Sequence, residues 1–70
     1  MKLYRYSFKP LSNLAQKDNF IINLELGSWA KRNLTPTLMI DKMPHYSGES
    51  MALLKLKFGN SVRIFESYET

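Results

Sequence analysis

The strongest constraint on this chain's fold is an alternation near its C-terminus. Leu54, Leu56 and Phe58 alternate with Lys55 and Lys57, and after Gly59-Asn60-Ser61 the pattern resumes as Val62, Arg63, Ile64 and Phe65. Apolar residues at every second position put one face of a strand against a core and the other in solvent. Met51 to Tyr68 therefore predicts a β-hairpin with one apolar and one basic face. A two-residue Gly-Asn loop makes a good type II′ turn but turns Val62 and Ile64 to the lysine side. A three-residue loop, Gly59 to Ser61, pairs Phe58 with Val62 and Leu56 with Ile64, and sets Lys57 opposite Arg63 and Lys55 opposite Phe65. The second register is preferred. Burying a consistent apolar face outweighs the few tenths of a kcal/mol, roughly, lost to a like-charged cross-strand pair. A two-residue turn with a bulge lower down is the alternative.

The remaining elements follow from shorter patterns. Residues 3 to 8 give a first strand with Tyr4, Tyr6 and Phe8 on one side and Arg5 and Ser7 on the other, stopped by Pro10. Leu11 to Asn19 is a polar connection with room for a single helical turn begun by Ser12. Phe20 to Leu26 give a second strand, ended by Gly27. Ser28 is the expected N-cap of a short helix from Trp29 to about Leu34, closed by Asn33, Thr35 and Pro36. Thr37 to Met43 form a short third strand, and residues 44 to 49 a loop into the hairpin.

The expected fold is α+β: a small single domain over residues 1–70, with four to five antiparallel strands and one short helix between strands 2 and 3. A small all-β barrel is the alternative. A helix of about six residues is roughly 9 Å long, whereas five strands span roughly 19 Å, so one such helix cannot cover the sheet. The sheet must curl on itself or bury its remaining face against a second subunit or a partner, which brings a homodimer among the expectations.

Composition narrows the chemistry. Seventy residues lie near the size at which a core alone suffices, and with no cysteine there is no disulfide, thiolate zinc site or cysteine nucleophile. Ten Lys and Arg against six Asp and Glu give a net charge of +4, which attracts polyanions and acidic protein surfaces alike. No apolar run reaches membrane-spanning length, and Arg5 and Lys9 interrupt what a signal peptide would need. A soluble cytoplasmic protein without a membrane partner is the expectation.

His45, the one histidine, stands at i, i+4, i+8 spacing with Asp41 and Glu49, but Pro44 and Gly48 defeat the helix that would align them. A surface-loop histidine is expected, and no metal site. The serines lack a nucleophile-elbow setting. Glu25, Asp41, Glu49 and Glu66 fall on separate elements, and Gly27, Gly48 and Gly59 stand alone, so neither paired carboxylates nor a phosphate-cradling loop is present. No cofactor is called for, and an enzyme is the least supported class. A recognition-motif domain of the RNA-binding type is not expected either: Lys57-Phe58-Gly59-Asn60 does not match its aromatic signature, and the pattern contains no two long helices.

Two constellations point to binding. Lys55, Lys57, Arg63 and Phe65 join charge and an aromatic ring on the hairpin's outer face, the pairing that single-stranded nucleic acid uses. Trp29 stands beside Lys31 and Arg32, three residues from Arg32 and so able to stack on it in a helix, although a core anchor is the competing role for a lone tryptophan. The expected function is that of a small basic, non-enzymatic interaction protein. It would bind a partner protein or nucleoprotein through Trp29, Lys31, Arg32, Lys55, Lys57, Arg63 and Phe65. The alternative is direct DNA or RNA binding by the hairpin face. In size and lack of cysteine the chain resembles small bacteriophage-encoded inhibitors, the anti-CRISPR proteins among them. That similarity of class, which no motif carries, implies a protein that blocks another protein or nucleoprotein.

Overall fold

Ser47 decides the conformation of the alternating segment. In the computed structural model, which describes residues 1–69, the Ser47 hydroxyl accepts a hydrogen bond from the Ser50 backbone N–H at 3.2 Å. This N-cap starts a helix, α2, over Gly48–Phe58. The expected hairpin is therefore not formed. Met51 to Lys57 contain only Met, Ala, Leu and Lys, all good helix formers with no β-branched member, and the helix has Glu49 in its first turn and Lys55 and Lys57 in its last. Burial follows the helical spacing Met51, Leu54, Phe58. Leu54 is 0% exposed and Leu56, its supposed neighbour on one strand face, is 84% exposed. The helix stops at Gly59, whose φ of +59° suits glycine, and a single 3-10 turn over Gly59–Ser61 leads into strand β4, Val62–Glu69.

The same correction applies upstream. Strand β1, Lys2–Phe8, lies where the alternation puts it. The expected second strand and the short helix after it are instead one helix, α1, over Gln16–Asn33. Gly27 and Ser28, read as strand terminator and N-cap, are interior to it. Near its start the Asn19 side chain bonds both backbone groups of Leu11, each at 2.9 Å, which fixes the connection to β1. Phe20, Ile22, Leu24 and Leu26 alternate over only four positions, whereas burial falls on Leu26, Ala30 and then Leu34 at a spacing of four. The helix expected over Trp29 to Leu34 forms its last turns.

The expected third strand is itself a hairpin. Strands β2, Leu38–Ile40, and β3, Met43–His45, are joined by Asp41 and Lys42, both with positive φ (52° and 66°). Ile40 pairs with Met43 across this two-residue turn, the arrangement of a type I′ hairpin.

β1 pairs antiparallel with β4, and Tyr4 and Tyr46 exchange two backbone hydrogen bonds of 2.8 Å that link this pair to β2–β3. The strands thus form two two-stranded sheets, β1-β4 and β2-β3, joined by this one bridge into a layer with the spatial order β2-β3-β1-β4. Element order β-α-β-β-α-β with this arrangement is the split βαβ topology. The α+β class and four antiparallel strands agree with expectation. The single short helix does not, and the all-β barrel is not formed. Leu26, Ala30, Leu34, Tyr46, Met51, Leu54 and Val62 form the core, with Tyr4, Tyr6, Phe8, Trp29, Phe58 and Ile64 packed against it. Both helices therefore cover one sheet face; on the other, Leu3 and His45 are buried without a helix over them, while Arg63 and Phe65 are exposed. The N-terminal half of α1 buries no side chain and exposes Phe20, Ile21 and Leu24. No helix among the described residues is long and apolar enough to cross a membrane.

Two outcomes follow from this packing. Leu54→Ala should lose about 2–5 kcal/mol in urea denaturation and Leu56→Ala less than about 0.5 kcal/mol, whereas equal losses would restore a shared strand face. Burial raises the hydroxyl pKa of both Tyr6 and Tyr46, with Tyr6 adding to the rise at Tyr46. The fold favours the neutral rings, so their contribution is full below the ordinary tyrosine value of about pH 10 and is lost as pH rises through the higher folded values. Thermal stability should fall above about pH 10, and less steeply in Tyr6→Phe.

Candidate functional site

Trp29 is where the two helices make a surface rather than only a core. The C-terminal half of α1 brings it beside the end of α2, where its ring meets Phe58 edge-on, centroids 5.9 Å apart at 76°. It is half-buried: one side packs on the core and the outer edge is a wall shared by two clefts. The first, about 420 Å³, has Leu24, Trp29 and Phe58 as apolar lining, with Glu25, Arg32 and Lys57 among its charged residues. The second, about 460 Å³, is lined by Trp29, Asn33, Leu53, Leu56 and Lys57. Together they make one groove that runs past Trp29 and Lys57. The spacing of three residues puts Trp29 and Arg32 on one side of the helix, as the sequence suggests.

Only part of the expected set converges here. Trp29, Arg32 and Lys57 do. Lys31 lies on the other flank of α1, lining a separate cleft with Leu34, Met39 and Tyr46. The Lys55 ammonium donates to the Val62 carbonyl at 2.7 Å and so fastens α2 to the start of β4. Arg63 and Phe65 are on the open face of the sheet, opposite Ser7 and Arg5 respectively. The basic hairpin face is thus divided between a helix and a strand, because Lys55 and Lys57 never shared a sheet with Arg63 and Phe65. Conversely, Leu24, Leu53 and Leu56 enter the site unannounced. Read with a period of two, Leu24 and Leu56 look like strand core and Leu53 falls on the lysine side; read at 100° per residue, all three fall away from Leu26, Met51 and Leu54.

Electrostatically the groove is unbalanced. Among the described residues the one salt bridge is Lys2 to Glu66 at 3.1 Å, between exposed side chains, and Glu66 holds the Lys2 ammonium above its ordinary range. Arg32 and Lys57 have Glu25 in the same cleft but no ion pair with it.

His45 corrects another expectation. It is buried on β3, its Nδ1 lies 2.6 Å from the Ser67 hydroxyl of β4, and its ring meets that of Tyr68 at 6.4 Å. These contacts reach across β1, where Leu3 is 1% exposed. A hydroxyl beside an imidazole is the beginning of a nucleophile–base pair, yet no carboxylate among the described residues bonds the other ring nitrogen. The contact ties β3 to β4. Nor do three His, Asp or Glu side chains among the described residues gather into a metal-binding group.

Because Trp29 is both wall and anchor, Trp29→Ala should cost about 2–3 kcal/mol in denaturation, less than the 3–5 kcal/mol, roughly, of a fully buried ring, and Trp29→Phe should recover most of it. Its fluorescence in the native protein should remain open to a small neutral quencher. With the groove defined by its geometry, comparison adds no relative: no protein-family model, curated protein or solved structure matches the chain.

Proposed function

We propose that this chain is a non-enzymatic interaction protein that receives an acidic, apolar-faced segment of a partner protein or nucleoprotein in the groove between α1 and α2. The carrying observation is the company Trp29 keeps. Leu24, Leu53 and Leu56 are each more than half exposed around a half-buried tryptophan, and Arg32 and Lys57 border them without an ion-pair partner among the described residues. Exposed apolar side chains gathered on one surface mark interaction sites, and Trp and Arg are the residues from which binding hot spots are most often built. The cations favour an acidic partner and the leucines give it an apolar surface to bury. Arg32 and Trp29 provide the central anchor, and Lys57 guards both clefts. An inhibitor that blocks its target by occupying a binding surface needs nothing more than such a groove. The resemblance in size and composition to small phage-encoded inhibitors agrees with that role.

The imidazole's engagement with Ser67 in a packed strand contact also supports binding over catalysis. The hairpin that would set Lys55, Lys57, Arg63 and Phe65 on one face for direct nucleic-acid binding is not formed: the lysines are on α2, with Lys55 bound to the Val62 carbonyl, and Arg63 and Phe65 are on β4.

Affinity capture from host lysate after nuclease treatment, at raised salt, tests the reading. Wild type should retain a defined protein. Leu53→Gln with Leu56→Gln, and separately Arg32→Gln with Lys57→Gln, should reduce its recovery at least about tenfold while shifting stability by less than about 1 kcal/mol, since all four positions are exposed. Undiminished capture by both double variants would place the contact elsewhere.

A further inference from the structure

The open face of the sheet has a composition the groove does not. Strand alternation and register put Arg5 of β1, Leu38 and Ile40 of β2, Met43 and His45 of β3, and Arg63 and Phe65 of β4 on the side away from the helices. The register shift between Leu3 and Tyr4 then pairs Tyr68 with Leu3, which keeps a second ring on this side. Phe65 and Tyr68 are 42% and 44% exposed. Phe65 lies directly opposite Arg5, whose Nη1 contacts the Met43 sulfur at 3.5 Å and so holds the guanidinium over the sheet. Every strand carboxylate is on the other side: Glu66 pairs with Tyr4, Glu69 with Lys2, and the Glu66 carboxylate reaches Lys2 there.

Two arginines and two exposed rings on a strand surface that holds no carboxylate among the described residues select for a ligand that is anionic and has flat apolar faces. We propose that this face binds single-stranded nucleic acid, with Arg5 and Arg63 on phosphates and Phe65 and Tyr68 stacking on bases. A duplex would not use the rings, because its base faces are already stacked. A second copy of the chain packed face to face would bring four arginines together without a carboxylate to meet them. The site is separate from the groove, so one molecule has a helical side for protein and a strand side for nucleic acid, as a nucleoprotein partner would require.

Fluorescence anisotropy of the purified chain with labelled eight-nucleotide oligothymidylate and oligouridylate tests this. Binding should be saturable at low salt and weaken as salt rises, with a log–log slope of about −0.7 per phosphate contact. Arg63→Gln should shrink that slope by about 0.7. Phe65→Ala should lower affinity about fivefold or more with the slope unchanged, and Phe65→Leu, which keeps apolar volume at the position, should show the same loss. Arg32→Gln with Lys57→Gln should bind oligonucleotide as wild type does, so failure here is distinguishable from failure of the groove. No binding at about 50 mM salt, or loss only in the groove variant, would overturn the proposal. A homodimer in sedimentation that Phe65→Ala dissociates would also overturn it, by making this face a subunit interface.

Discussion

The backbone pairing of β1 on both of its edges is the interaction on which the rest of the structure depends. β4 lies along one edge and Tyr46 bonds the other through Tyr4, so the first strand of the chain becomes an inner strand of the assembled order. Tyr4, Tyr6 and Phe8 then turn toward the helices, while Leu3, Arg5 and Ser7 turn away. The division into a covered and an open face originates in this strand. It also joins residues near the two ends of the chain, a long-range closure whose entropic cost grows only slowly with loop length.

Above the covered face, the core is small and unevenly shared. α2 gives it Met51 and Leu54, and α1 gives Leu26 and Ala30 from its C-terminal half. The first turns of α1 extend past the supported region, and the described molecule measures 40 × 20 × 18 Å. Leucines and phenylalanine that a larger domain would cover remain at the surface. In a chain near the lower size limit for an independent core, that exposure has a physical cost, which a bound partner would offset.

Charge is distributed with the same two-sidedness. Arg32 and Lys57 border the helical groove, while Arg5 and Arg63 lie on the open sheet beside Phe65. These four are part of a set of ten cations set against six carboxylates, one of which, Glu25, lies in the groove with Arg32 and Lys57. The carboxylates of β4 lie toward Lys2 on the helical side, which leaves the sheet's outer surface free of them. Each surface pairs cations with apolar or aromatic side chains, but the groove offers depth and the sheet offers flat exposed rings. That difference in shape underlies the different occupants proposed for them.

The α+β class, β1 with its tyrosine face, the absence of disulfide chemistry and the proximity of Trp29 to Arg32 are all legible in the sequence, because each rests on composition or on near neighbours. The period of the apolar pattern from Leu54 to Phe58 is not. Five residues satisfy both a strand and a helix, and the Ser47 cap and the burial of Met51 with Leu54 select the helix only once there is a core to bury them. Phe20 to Leu26 were ambiguous in the same way. The type I′ turn at Asp41-Lys42 lacked the glycine that usually announces one. By itself, then, the sequence determined which residues are apolar or charged and that disulfide and thiolate chemistry is absent. Tertiary structure alone decided which of them stand together, since joining Arg32 to Lys57, or Arg5 to Phe65, requires contacts between segments far apart in the chain.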